Sequence, residues 1–146
     1  MLSQLKKNFE LILFTAGFDK YASTIVKLLH KDQKYFDYVI SRESCTPHPN
    51  GKFQVKDLIQ LLEGRNIKDI IIVDNRATSF AIHFTNGIPI KDYEGDKSDK
   101  WLMSLCAYLM QFQGLNDVRT KIKQDFKLDK YVTERGNLRN KLKYSS

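Results

Sequence analysis

Thr15, Lys56 and the pair Asp74-Asn75 bring a hydroxyl, an ammonium and an acid–amide couple to positions where an α/β chain can bind phosphate. Thr15 closes the apolar run Leu11–Phe14, and Asp74 closes Ile70–Val73. Sheets of parallel strands collect ligands at the carboxyl ends of their strands. There a hydroxyl can donate to a phosphoryl oxygen, an ammonium can balance its charge, and an acid–amide pair can hold a hard cation. The four are therefore expected to converge on one phosphate and one metal ion. Singly, each has a plainer reading: a strand-end cap, a surface lysine, a helix cap. Two other chemistries drop out. Six residues after Cys45 stands Gly51, and six after Cys106 stands Phe112, where a cysteine-nucleophile phosphatase needs arginine. His30, His48 and His83 form no zinc-type pair, and the two cysteines match no metal spacing, so both are expected to be reduced thiols.

The elements that must position these groups follow from the apolar pattern. Leu2, Leu5 and Phe9 suggest a short helix, and Leu11–Thr15 a buried strand closed by Ala16-Gly17. Asp19 is expected to cap a helix running to about Lys31, with Tyr21, Ile25, Leu28 and Leu29 inward. Phe36–Ser41 is a second strand, and Thr46–Lys52 a turn-rich loop. Val55–Glu63 predicts a short helix with Lys56 at its start. Ile70–Asp74 is the clearest strand, a short helix follows Thr78, and Ile88–Ile90 is a last strand. Trp101–Phe112 predicts an amphipathic helix, and Val118, Ile122 and Phe126 continue a helical stripe. Such alternation means an α/β layered fold with a mostly parallel sheet.

The length of 146 residues suits one domain, and 42% hydrophobic with 28% charged residues is ordinary globular composition. No apolar run approaches the roughly 20 residues of a transmembrane helix, and no signal peptide is legible at the start. The net charge of +7 is uneven. Residues 1–118 hold 15 basic against 14 acidic side chains, whereas 119–146 hold nine against three. The basicity is that of a tail, which a solvated polar end explains better than nucleic-acid binding. A monomer in the nucleus or cytoplasm is expected, with no specific nucleic-acid partner.

Taken together and in order, the motifs are more specific. Phe14-Thr15-Ala16-Gly17, Lys20-Tyr21-Ala22, Arg42-Glu43-Ser44-Cys45, Val55-Lys56-Asp57-Leu58, Ile71-Ile72-Val73-Asp74-Asn75, Asn86-Gly87-Ile88-Pro89-Ile90 and Asp96-x-x-Asp99 form one series. It resembles the phosphatase domain of the RNA polymerase II C-terminal-domain phosphatases. Within these it is most similar to the small-phosphatase and dullard-like branch (nuclear LIM interactor-interacting-factor-like) of the haloacid dehalogenase superfamily. The resemblance covers roughly residues 1–128, leaving 129–146 as a basic tail, flexible or helical. It implies a Rossmann-like three-layer fold and hydrolysis of phosphoserine or phosphothreonine in protein substrates. In that family one aspartate attacks phosphorus to give an aspartyl-phosphate, and a second, two positions later, protonates the leaving oxygen. By resemblance, Thr15 binds phosphoryl oxygens, Lys56 balances the charge of nucleophile and phosphate, and Arg42 lies near the substrate phosphate. Asp74 and Asn75 correspond to the magnesium-holding motif.

The nucleophile is the gap. The resemblance places an Asp-x-Asp-x-Thr/Val motif ahead of the helix that precedes Phe9, and the 146 residues contain no Asp-x-Asp pair. The expectation is a partial phosphatase domain lacking nucleophile, general acid and the central first strand of its sheet. It should be inactive alone, with weak or absent Mg2+ binding. The alternative is a non-catalytic pseudophosphatase acting as a protein-binding module. Arg76-Ala77 also departs from the family's usual serine-proline, a change of little consequence at a helix start.

Overall fold

Thr15 follows the first strand of one short parallel pair, Asp74 ends the first strand of another, and Lys56 follows an antiparallel hairpin that lies between them in sequence. The computed structural model describes residues 1–31, 33–48 and 51–128, so the expected basic tail at 129–146 falls outside the described residues. The described residues divide into two compact units, 1–45 with 93–113, and 46–92 with 114–128. The result is a small mixed α/β arrangement of parallel and antiparallel two-stranded sheets. No described helix is long and apolar enough to cross a membrane.

In the first unit, α1 (Leu2–Leu5) precedes β1 (Ile12–Phe14), which pairs in parallel with β2 (Tyr38–Ile40) in the register Ile12 to Tyr38. Asp37 fixes that register. Its backbone N–H donates to Leu11 O at 2.7 Å, while its carboxylate accepts Leu11 N and pairs with Lys6. Hydrogen bonds from Lys6 and the Leu11 amide hold the Asp37 carboxyl below its ordinary range. The helix α2 (Asp19–Leu29) starts one residue earlier than a capping Asp19 would require. Phe18 occupies the cap position and makes no side-chain cap bond, leaving Asp19 in the first turn, where a carboxylate favours the helix dipole. Its buried residue is Ala22 and Ile25 is half-buried, whereas Tyr21, Leu28 and Leu29 are exposed, so the inward face is rotated from the expected one. The larger apolar side chains identify a hydrophobic stripe, but the small Ala22 marks where the backbone packs closest. The expected helix at Trp101–Phe112 is α3 (Trp101–Leu109) followed by a 3-10 turn, Met110–Phe112. Cys106 and Phe112 are its buried residues, and the Cys106 thiol donates to Gln4 Oε1 at 3.4 Å.

In the second unit, β3 (Thr46–Pro47) pairs antiparallel with β4 (Gln54–Val55), so the expected loop at Thr46 contains a strand and the expected helix at Val55 begins as one. Only a 3-10 turn, Leu58–Leu61, remains of that helix, and Asp57 caps it by accepting Ile59 N at 3.0 Å. The physical reason lies in Lys56, whose backbone N–H donates to Ser79 O at 2.7 Å and is thereby committed to extended structure. β5 (Ile72–Asp74) pairs in parallel with β6 (Gly87–Pro89), Val73 opposite Ile88. The connection between them folds as 3-10 turns Ala77–Phe80 and Phe84–Asn86, the first in the place expected for a helix. Asn86 is almost fully buried and its amide donates to the carbonyls of Ile67 and Ile70 at 2.7 and 2.8 Å. The Phe80 ring fills the space where a Cβ on Gly87 would stand. Finally α4 (Val118–Phe126) lays Val118 and Ile122 inward and packs against β6. The two cysteines are buried thiols outside any disulfide.

Candidate functional site

The parallel ladder of the first unit delivers Thr15 and Arg42 to the carboxyl ends of β1 and β2. Thr15 extends the ladder by donating its N–H to Ile40 O at 2.9 Å. Its hydroxyl oxygen accepts Gly17 N at 3.0 Å, which leaves the hydroxyl hydrogen to donate outward. Gly17 is required there, because an added Cβ would come within 2.8 Å of the Tyr21 ring and 3.3 Å of the Thr15 hydroxyl. Arg42 opens a 3-10 turn, Arg42–Ser44, and donates its own N–H to Gly17 O at 3.0 Å. Its guanidinium reaches Ala16 O at 3.4 Å and lies 5.0 Å from the centroid of the Phe18 ring. Next to it the Ser41 hydroxyl donates to Glu43 and holds that carboxyl below its ordinary range.

In the second unit Lys56 and Asp74, distant in sequence, form an ion pair with Nζ to Oδ2 at 2.6 Å. The side chains are 11% and 8% exposed, so the pair is shielded from solvent on most sides. Asp74 ends β5, and its other carboxylate oxygen accepts Arg76 N at 2.8 Å. Asn75 donates its amide to Asp92. Asp57, beside Lys56, holds His83 Nε2 at 2.8 Å and so ties the start of its 3-10 turn to the segment after Phe80. Asp57, His83 and Ser79 are absent from the residues read as functional in the sequence. Asp57 stands inside the Val55–Leu58 motif, but a lone histidine 26 residues later carries no local sign of pairing with it.

Among the described residues no three His, Cys, Asp or Glu side chains cluster closely enough to hold a metal ion. Asp74 and Asn75 are hard oxygen donors, and each Asp74 oxygen accepts one hydrogen bond while keeping a further lone pair. Magnesium is commonly held through one or two carboxylates with waters and substrate phosphate completing the shell. The donor chemistry therefore fits magnesium as part of a ligand set.

The model of the NLI interacting factor-like phosphatase family (NIF) matches residues 1–119. The chain belongs to this phosphatase family. A CTD small phosphatase-like protein 2 of Dictyostelium discoideum is 34% identical over 133 residues, 91% of this chain and 23% of that protein. A probable C-terminal domain small phosphatase of the same organism is 38% identical over 118 residues, 81% of this chain and 37% of the relative. The human carboxy-terminal domain RNA polymerase II polypeptide A small phosphatase 1 is 34% identical over 123 residues, 84% and 45% of the two chains. The chain thus spans less than half the length of these NIF-type relatives.

Proposed function

We propose that these residues form the phosphate-binding and metal-holding part of a magnesium-dependent protein serine/threonine phosphatase domain. The observation that carries the reading is the shielded Lys56–Asp74 ion pair at the end of a parallel strand, within the ordered motifs of the family. A cation held at such a place by one carboxylate is set to neutralise a second anion. Thr15 donates its hydroxyl to the phosphoryl oxygens, Lys56 balances their charge, and Arg42 reaches the substrate phosphate. Asp74 and Asn75 would hold magnesium, which when bound supplies further charge neutralisation at the phosphate.

No Asp-x-Asp pair occurs in the 146 residues; on this reading these residues supply neither nucleophile nor general acid and do not turn over by themselves. The fold extends this reading. β1 and β5 are each paired on one edge in the described residues. A further parallel strand, the one that carries the nucleophile in a Rossmann-like three-layer fold, would satisfy such edges. The substrate is a phosphoserine- or phosphothreonine-bearing polypeptide. Relatives named for RNA polymerase II favour a nuclear setting. A pseudophosphatase that binds phosphorylated partners uses the same residues and differs only in never acquiring a nucleophile.

An aryl phosphate with magnesium tests this. The chain alone should hydrolyse none above a buffer blank. Fusion to a family segment with a strand and Asp-x-Asp-x-Thr should produce magnesium-dependent turnover that Lys56→Ala abolishes. Turnover by the unfused chain would overturn the inactivity, and a silent, well-folded fusion would overturn the roles given to Lys56 and Asp74.

A further inference from the structure

Phe18 is a large apolar residue left 63% exposed at the cap position of α2, where Ser, Thr, Asp or Asn would normally supply a hydrogen bond. It makes no cap bond, so neither burial nor helix capping explains it. Its ring contact is the Arg42 guanidinium, 5.0 Å from the ring centroid. The Arg42 side chain touches Ala16 O and the ring, while the neighbouring Glu43 carboxylate, close enough to feel its charge, is hydrogen-bonded by the Ser41 hydroxyl. Cation–π contact differs from an ion pair in a way that matters here. It orients a guanidinium without neutralising it, so the charge and most of the N–H donors stay available for a phosphate, which arginine binds through its planar fork. The backbone bond from Arg42 N to Gly17 O joins the two segments beneath the contact, so ring and guanidinium are held from both ends.

We propose that Phe18 is a positioning residue that stacks on Arg42 and presents its guanidinium to the phosphate of a phosphorylated peptide. This rests on the reading of Arg42 as a phosphate ligand. Freezing a long side chain before the substrate arrives removes part of the ordering cost of binding.

The test uses the full chain and a short phosphoserine peptide followed by NMR titration. Phe18→Leu keeps apolar bulk without the ring, Phe18→Trp keeps a ring, and Arg42→Ala removes the cation. In the free protein the Arg42 δ-protons should carry an upfield ring-current shift that Phe18→Leu abolishes and Phe18→Trp retains. Phe18→Leu should weaken the peptide by about two- to fivefold, the worth of an exposed cation–π contact. Phe18→Trp should leave affinity near the original, Arg42→Ala should lower it by about tenfold or more, and Phe18→Leu should add nothing on top of Arg42→Ala. Undiminished binding by Arg42→Ala, or no binding by the original chain, would overturn the reading of Arg42. If Arg42→Ala weakens binding while Phe18→Leu binds as well as the original, or if the δ-proton shifts are the same in both, the role of Phe18 is overturned.

Discussion

The ammonium of Lys56 and the carboxylate of Asp74 meet at 2.6 Å after a separation of 18 residues, and both are largely buried. Removing either partner leaves an uncompensated charge away from water, which costs about 3–5 kcal/mol. Lys56→Ala and Asp74→Ala should each lower stability by that order. Lys56→Met combined with Asp74→Leu should cost clearly less than the sum. Urea melts of the four proteins decide it, and additive losses would mean the two charges do not depend on one another.

Asn86 offers a second, independent point of failure. Its amide satisfies the carbonyls of Ile67 and Ile70, and both would lose a donor in Asn86→Leu despite a similar volume. Ile67 O keeps the N–H of Ile70, so Ile70 O is the group left without its donor, and a loss of about 1–3 kcal/mol is expected. Calorimetry on the variant would show this, and an unchanged Tm would require that other donors have moved in.

Gly87 should tolerate no side chain. A Cβ there would overlap the ring of Phe80, which is fully buried and has nowhere to turn. Gly87→Ala should therefore destabilise by about 1–3 kcal/mol or more. The companion change Phe80→Leu should recover part of that loss, whereas in the original background it should only harm.

Lys127 closes α4 in the left-handed region, with φ of 51°, and is the one non-glycine at positive φ among the described residues. Lys127→Gly should stabilise by about 1 kcal/mol, since glycine adopts this cap without the Cβ penalty. A small rise in Tm with unchanged helical signal is the expected result.

At the other end of α4, Asp117 caps the helix through Arg119 N at 2.9 Å and grips the Arg119 guanidinium with both oxygens. The Arg119 hydrogen bonds draw its pKa down from 3.8 to about 2. A carboxylate whose folded pKa is depressed contributes stability above its unfolded pKa and loses it as pH falls through the folded one. Acid titration should therefore remove this contribution between about pH 4 and 2, and Asp117→Asn should flatten the stability profile in that window. An identical profile in the variant would show that other acids dominate there.

Much of this was readable in the residues. β1, β5, α2 and α4 lie where apolar runs and stripes predicted them, and the 3-10 turn after Arg76 stands where a short helix was expected. Elsewhere, long-range hydrogen bonds overrode local pattern. Val55–Glu63 has helical spacing, yet Lys56 N–H is claimed by Ser79 O, and the segment runs extended before its single turn. The inward face of α2 is set by Ala22, whose importance is its smallness, so an apolar count places half-buried Ile25 correctly but turns the face toward exposed Tyr21 and Leu28. Lys56 and Asp74 were readable as site candidates, but the Asp57–His83 contact beside them was not, because nothing local couples a histidine to a residue 26 positions earlier.

The link between β5 and β6 bears on how the second unit acquires its structure. Ile72 pairs with Gly87, and the crossover of residues 75–86 is about as short as a parallel connection can be. Phe80 lies inside that crossover and packs on Gly87 seven residues on, while the Asn86 amide bonds reach back 16 and 19 residues to Ile70 and Ile67. Contacts of low sequence separation form early, before the slower search for distant partners. Residues 66–90 are thus placed to act as a folding nucleus, with amide protons that gain protection first during refolding and surrender it last under native exchange.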